Sequence, residues 1–83
     1  MYDNCQGGQR NWSSANSYCS SKGMRLPAYN ETSAKDSNGV SSCGVKWTWT
    51  STYYNGGSNH SIWNGTIGNN DDSSSSNYVR CVK

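Results

Sequence analysis

The chain has 83 residues, of which 31% are hydrophobic and 12% aromatic, with four Trp, six Tyr and no Phe. This length indicates one domain, residues 1–83, whose small core depends on a few large rings that each bury ~150–250 Å². A net charge of +2 from scattered Lys and Arg argues against nucleic acid or an anionic membrane as partner. With no apolar run near the ~18 residues of a membrane span, we expect no direct membrane insertion. With no signal sequence at its start, we expect a part of a longer protein.

Residues 1–10 are predicted to be a lead-in strand or loop, and residues 11–83 carry the motifs of the core. The segment after the lead-in has apolar residues at helical spacing, which predicts a first helix. The residues that share its apolar face are Trp12, Ala15 and Cys19. Asn11 or Ser13 can cap the start of this helix, and Gly23 suits the position just after its end.

A short extended segment follows the helix and is predicted to end at Pro27. A second, weaker helix is predicted to begin near Asn30, which is a good N-cap. Glu31 complements the positive end of the helix dipole. Asn38–Gly39 stops this helix.

Strict alternation over Val45–Thr50 predicts the clearest strand in the chain. Because successive side chains of a strand point to opposite faces, Trp47 and Trp49 are expected to face the core. Thr48 and Thr50 are then expected to face outward or toward a loop.

The second half of the chain predicts further short strands. Ile62–Trp63 and Thr66–Ile67 are expected to flank a type I′ turn at Asn64–Gly65. Asn69–Asn77 is a polar tract that predicts a mobile surface loop, and Tyr78–Val82 predicts a final strand. Helices followed by a run of antiparallel strands predict an α+β fold with the helices packed against the sheet.

The four cysteines form an even set in a short polar chain: Cys5, Cys19, Cys43 and Cys81. They lack the close pairs of a zinc site, so we expect disulfides, an oxidising compartment, and neither a metal nor another cofactor. The sequence by itself leaves three pairings open.

Three motifs in order resemble bacterial C-type-lectin-like modules: a run from Asn11–Trp12 to Pro27, then Trp47–Thr52, then Tyr78–Lys83. Over residues 10–83 the chain is similar to the domain that ends Legionella collagen-like adhesins and to the tip domains of intimin and invasin. The resemblance implies a C-type-lectin-like fold, with two short helices on small antiparallel sheets stapled by disulfides. It implies a Cys19–Cys81 bond, which leaves Cys5–Cys43 as the other pair.

The resemblance also implies display outside the cell, on a bacterial surface, and a host-cell or neighbouring-cell protein or glycan as partner. Intimin-type tips bind protein receptors, and the end domain of the collagen-like adhesin is associated with sulfated polysaccharides. The Glu-Pro-Asn, Gln-Pro-Asp and Trp-Asn-Asp triplets of calcium-dependent lectins are missing here. We therefore do not expect sugar binding by that calcium-dependent route.

The segment Tyr53–Asn77 is the predicted ligand-binding region. Tyrosines surrounded by Ser, Gly and Asn are typical of adaptable binding loops, and in the C-type-lectin-like fold the irregular region between the later strands usually carries the ligand face. The candidate ligand-binding residues are Tyr53, Tyr54, His60, Trp63, Asp71 and Asp72.

Several residues have two interpretations. Asn69–Asp72 is either a calcium-binding loop or a solvated acidic loop, and we favour the second. His60 has no recognisable catalytic partners, which favours a histidine in a surface loop. Arg25 can bind a sulfate or carboxylate of a ligand, but its place in the first motif favours a buried backbone carbonyl or carboxylate as its partner. The Trp rings are expected to serve the core first, with stacking on a ligand as the alternative.

The leading hypothesis is an extracellular binding module at the tip of a bacterial adhesin, and not an enzyme. One alternative is a structural cap without a ligand at the end of a surface-protein stalk. The other is a small secreted inhibitor or toxin-like protein.

Overall fold

One α-helix, one 3₁₀ turn and five β-strands form the parts of the chain that the computed structural model describes, residues 5–32, 41–44, 46–54 and 58–83. In chain order the elements are β1 (Gln9–Arg10), α1 (Trp12–Ser21), the 3₁₀ turn (Tyr29–Glu31), β2 (Thr48–Tyr53), β3 (Asn59–Trp63), β4 (Gly68–Asp72) and β5 (Asn77–Tyr78). The predicted α+β class is confirmed.

The five strands form one sheet in the order β1-β5-β2-β3-β4. Neighbouring strands are antiparallel except β2 and β5, which run parallel where Thr48 pairs with Tyr78. The expected small antiparallel sheets are therefore replaced by a single mixed sheet.

The first helix is confirmed, with both of its ends capped. Asn11 Oδ1 accepts the backbone N–H of Ser14 at 2.8 Å. At the other end Gly23 has a φ of 70°, and the N–H of Met24 donates to the Cys19 carbonyl at 2.9 Å. This is the glycine-terminated helix end expected from the sequence.

The prediction of a second helix that begins near Asn30 is wrong, because the described residues there form only a 3₁₀ turn, Tyr29–Glu31. Its N-cap is Ala28 instead of Asn30. Thr32 is already extended, with a ψ of 157°, and its Oγ1 donates to the Tyr29 carbonyl at 2.7 Å. Residues 33–40, which would hold the rest of the predicted helix, lie outside the described residues.

Glu31 forms an ion pair with Arg25 instead of stabilising the dipole of a second helix. Its two carboxylate oxygens accept from both terminal nitrogens of Arg25 at 2.8 and 3.0 Å, and the Ala28 N–H donates to Oε1 at 2.7 Å. These bonds, led by the one from Arg25, lower the pKa of Glu31 to about 2. The partner of Arg25 is a carboxylate, as the sequence favoured, but it is not the buried partner expected, since the side chains of Arg25 and Glu31 are 53% and 38% exposed.

The core forms between α1 and the sheet, and Trp49 is its largest fully buried side chain. The buried cluster contains Ala15, Cys19, Leu26, Trp49, Ile62, Val79 and Cys81. Trp12 and Trp47 are partly buried and pack against it. The expectation that Trp47 and Trp49 face the core is confirmed.

Thr48 and Thr50 are predicted to face outward or toward a loop, and neither faces outward, since both are 0% exposed. Thr48 faces the loop around Cys43, which covers the second face of β2, and its Oγ1 accepts the Cys43 N–H at 3.1 Å. For Thr50 the prediction is wrong: it lies at a break in the β2–β3 register, and its hydroxyl donates to the Ser61 carbonyl of β3 at 2.7 Å. The first half of the strand, Thr48–Thr50, is buried on both sides, so alternation in sequence does not become alternation in exposure. Val45, the predicted first residue of the strand, lies outside the described residues.

The predicted hairpin exists, but with longer strands and another turn. β3 and β4 pair from Asn59 with Asp72 to Trp63 with Gly68. At the turn only Gly65 has a positive φ, of 94°. A type I′ turn needs a positive φ at both central residues, so that assignment is wrong.

The polar tract Asn69–Asn77 is mostly strand, which corrects the predicted mobile loop. Its first part belongs to β4 and its end to β5. Ser and Asn disfavour strands only weakly when a neighbouring strand supplies the hydrogen bonds. The predicted last strand is shorter than expected: after Tyr78, only Val82 pairs again, with Arg25.

Two disulfides, Cys5–Cys43 and Cys19–Cys81, confirm the pairing that the resemblance implied. They span 38 and 62 residues. Each loop closure stabilises the fold by about 4 kcal/mol in the chain-entropy model. In the described part of the chain, no helix is long and apolar enough to cross a membrane.

Replacing Trp49 by Ala should lower the free energy of unfolding by about 3–5 kcal/mol, because a wholly buried indole leaves a large cavity. Urea denaturation followed by circular dichroism measures this loss. Ile67→Ala is the control: that side chain is 56% exposed, and its loss should stay within about 0.5 kcal/mol. Equal losses in the two variants would contradict the assignment of Trp49 to the core.

The two disulfides should also differ in their resistance to reduction. Cys19 and Cys81 are both 0% exposed, whereas Cys5 is only partly buried and its sulfur lies 3.1 Å from Nε of Arg80. A guanidinium beside a sulfur favours the thiolate that reduction produces. Brief treatment with dithiothreitol, then alkylation and mass spectrometry, should find Cys5 and Cys43 modified first. Simultaneous loss of both bonds would contradict this order.

Candidate functional site

The two faces of the β2–β3–β4 sheet have different roles. Side chains alternate along β3, so His60 and Ile62 share one face, and Ser61 and Trp63 share the other. His60 stacks on Trp12 of α1 with 4.0 Å between ring centroids. We call the His60 side the helix face and the Ser61 side the groove face.

On the groove face lies a groove of about 430 Å³. Its lining residues are Tyr29, Tyr54, Ser61, Gly68, Asn69 and Asn70. Tyr54 is 45% exposed, whereas Ser61 is 7% exposed. The groove therefore combines an accessible aromatic ring with a largely buried hydroxyl-bearing residue, and its volume lies within the range of about 300–1,000 Å³ typical of small-ligand sites.

Tyr29 reaches the groove because the 3₁₀ turn packs against β2 and β3. Its backbone N–H donates to Thr52 Oγ1 at 2.9 Å, which ties the turn to β2. The Tyr29 ring lies against Gly68, where an added Cβ would overlap the Tyr29 hydroxyl and ring carbons. Glycine at position 68 thus leaves room for the ring in the groove.

One asparagine amide projects into the groove with a fixed orientation. Asn70 pairs with Ser61 across β3 and β4 and shares the groove face, and its Oδ1 accepts from Asn59 Nδ2 at 2.7 Å. Asn69 pairs with Ile62, so alternation along β4 places its side chain on the helix face, and its Oδ1 accepts the backbone N–H of Asn70 at 2.9 Å. The Nδ2 of Asn70, which carries two N–H donors, is the amide group left to bond a ligand.

None of the six groove residues is charged. The acidic side chain on the same face of β4 is Asp72, two residues from Asn70. Asp72 Oδ1 accepts from the backbone N–H and the hydroxyl of Ser74 at 2.9 and 2.8 Å, and these bonds lower the pKa of Asp72. It remains a carboxylate at neutral pH.

The six candidate ligand-binding residues do not form one cluster. Tyr54 lines the groove, whereas the adjacent Tyr53 lies on the helix face with its ring 4.3 Å from that of His60. Trp63 is 0% exposed, so its ring presents no surface to a ligand. Asp71 Oδ2 accepts from Asn77 Nδ2 at 3.0 Å and serves the sheet.

His60 is part of β3 and only 2% exposed, which corrects the expected surface-loop histidine. Its Nδ1 lies 3.0 Å from Ser73 Oγ. Ser73 Oγ donates to the Ser58 carbonyl, so Nδ1 acts as the donor to Ser73. Nε2 is buried and has no hydrogen-bond partner among the described residues. This serine–histidine pair therefore lacks the third group that would orient the ring for nucleophilic catalysis.

The geometry of Asn69–Asp72 argues against a calcium site formed by these four residues. These residues belong to β4, where consecutive side chains point to opposite faces, so their four side chains cannot converge on one ion. The prediction of a solvated acidic loop is also wrong, because the segment is part of the strand β4. Within the described residues, no group of three or more His, Cys, Asp or Glu side chains could hold a metal ion.

The groove residues other than Tyr29 lie within Tyr53–Asn77, although only Tyr54 is among the six candidate ligand-binding residues. Tyr29 follows a proline-containing extended segment and carries no ligand-binding pattern. Its contact with Gly68 joins distant segments of the chain, which no local periodicity reports.

Comparison of the chain with protein-family models, with curated proteins and with solved structures finds no match in any of the three. The assignment of function therefore depends on the site itself.

The stability of the protein should fall on mild acidification because of His60. Burial lowers the pKa of His60 from its ordinary 6.5, against the opposing effect of a hydrogen bond to the Ser58 backbone. As the pH falls below 6.5, the unfolded chain binds a proton that the folded chain does not, so the free energy of unfolding decreases toward the lower folded pKa. Urea denaturation at a series of pH values from about 7.5 to about 5.5 measures this slope.

His60→Gln should flatten the slope, and since His60 is the only histidine the comparison is clean. The carboxyl of Glu31 acts in a lower window, because its contribution is lost as the pH falls from 4.5 toward about 2. An unchanged slope in His60→Gln would contradict the prediction.

Proposed function

We propose that this chain is an extracellular binding domain that recognises its ligand in the groove between Tyr29 and Asn70. The observation that carries the proposal is the groove itself, which joins two tyrosines, the oriented amide of Asn70 and a serine without a charged side chain. A few aromatic anchors with polar neighbours are the usual make-up of a recognition site.

The two disulfides support a location in an oxidising compartment. The resemblance to bacterial C-type-lectin-like modules supports a place in a longer surface protein, with a ligand on a host or neighbouring cell. We assign the chain a binding role instead of an enzymatic one, because the buried Ser73–His60 pair lies on the face opposite the groove and lacks an orienting group.

Binding in the groove requires no calcium. The Oδ1 of Asn70 is engaged in a hydrogen bond within the protein, so the ligand meets its N–H donors, and the side chain of Asn69 lies on the other face. A calcium-dependent site would instead need several converging oxygens.

The test is flow cytometry with the fluorescently labelled chain on cultured epithelial cells. Tyr54→Ala should reduce binding by about tenfold or more, as expected when a central aromatic anchor is removed. Gly68→Ala should also reduce it, because the new methyl group displaces the Tyr29 ring from the groove. A chelator should leave binding unchanged.

Tyr53→Ala is the matched control, since it removes the same side chain one position away and on the other face. Tyr53 is 60% exposed, more than Tyr54, so a general loss of surface aromatic area would affect it at least as strongly. Absence of binding by the unmodified chain would favour the structural cap. Equal effects of the Tyr53 and Tyr54 variants would place the ligand elsewhere.

A further inference from the structure

We propose that the ligand of the groove is an uncharged saccharide, an inference that rests on the function proposed above. The groove offers two kinds of surface, aromatic rings from Tyr29 and Tyr54 and polar donors from the remaining side chains. A pyranose has the matching combination, with an apolar C–H face that packs on an aromatic ring and a rim of hydroxyl oxygens.

The hydrogen-bonding groups favour a ligand rich in acceptor oxygens. The Nδ2 group of Asn70 has no partner in the described part of the chain, and its orientation is set by the engaged Oδ1. It supplies two N–H donors, and the hydroxyls of Ser61 and Tyr29 can donate or accept. Sugar hydroxyls pair with both kinds of group.

The charges around the groove disfavour sulfated or carboxylated ligands. Asp72 lies about 7 Å from Asn70, two residues along one strand, which is within the screening length of about 8 Å at physiological salt. Its carboxylate is ionised at neutral pH and repels an anion in the groove. No described lining residue is a cation that would offset this repulsion.

Three cationic side chains of the described residues are either paired with a carboxylate or located at another cavity, and so do not attract an anion into the groove. Arg25, close to the 3₁₀ turn, is bonded to Glu31. Lys46 and Arg80 line a second, smaller cavity of about 260 Å³ beside Tyr78 of β5. Three strand spacings of about 4.8 Å separate β5 from β4, which places that basic cavity about 14 Å away across the sheet.

The edge of β4 argues against an extended peptide as the ligand. The outward backbone N–H groups of Asn70 and Asp72 are already bonded to the side-chain oxygens of Asn69 and Asp71, both at 2.9 Å. A peptide that added a strand to this edge would have to displace both bonds. Side-chain recognition of a saccharide leaves them in place.

The experiment is a titration of the ¹⁵N-labelled chain with uncharged tetrasaccharides (cellotetraose, galactotetraose and chitotetraose) and with a heparin tetrasaccharide. We expect at least one uncharged probe to shift the side-chain amide signals of Asn70 and the backbone signals of Gly68 and Asn69. Its affinity should be the same at low and high salt. Asn70→Asp and Tyr54→Ala should each weaken it by about tenfold or more, or 1.4 kcal/mol.

Two variants outside the groove keep the test decisive. Tyr53→Ala and Asp72→Asn should leave the affinity for an uncharged probe unchanged, and their spectra verify that the fold is intact. Preferential, salt-sensitive binding of heparin that improves in Asp72→Asn would overturn the inference, and so would the absence of shifts with every uncharged probe. If the chain still binds cells through Tyr54 in that case, the proposed function stands and only the saccharide is excluded.

Discussion

The buried indole of Trp49 is the contact on which the rest of the fold depends. The ring is fully enclosed, and its Nε1 donates to the Arg10 carbonyl at 2.7 Å, so it ties the central strand β2 to β1 at the start of the fold. Its edge contacts the His60 ring at 6.4 Å between centroids, which joins it to β3. In a chain with so few apolar residues, one large side chain that joins its own strand to two others supplies much of the available core.

The Cys19–Cys81 disulfide works on the same core from the opposite side. It lies within the buried cluster and connects α1 to the end of the chain, next to the pair of hydrogen bonds between Arg25 and Val82 at 2.8 and 2.7 Å. The disulfide reduces the conformational entropy of the unfolded chain, whereas the buried indole stabilises the folded chain. Both act on the helix face of the sheet. The other face also buries Trp63 completely, so the groove occupies only the part of that face around Ser61 and Asn70.

A structural feature can be predicted from the sequence when the residues that cause it lie close to it along the chain. The caps of α1 follow from Asn11 and Gly23, which lie next to the residues that they affect, and these predictions are confirmed. The opposite orientations of the two adjacent tyrosines follow from strand geometry once β2 is known to reach Tyr53. The burial of Thr48 was not predictable, because it depends on the Cys43 segment folding back over β2. The contribution of Tyr29 to the groove was missed for the same reason, since Tyr29 and Gly68 meet only in the folded chain.

The construction of the groove determines how many side chains the binding of a ligand has to order. Gly68 and Asn70 are held by the paired strands β3 and β4, and Tyr29 by a turn bonded to Thr52. The amide of Asn70 is fixed by Asn59 on the neighbouring strand. Because these groups are positioned before a ligand arrives, binding orders few side chains, and each ordered side chain would otherwise cost about 0.5–1.5 kcal/mol. A small polar domain can therefore place a recognition site on a rigid strand pair instead of a long loop.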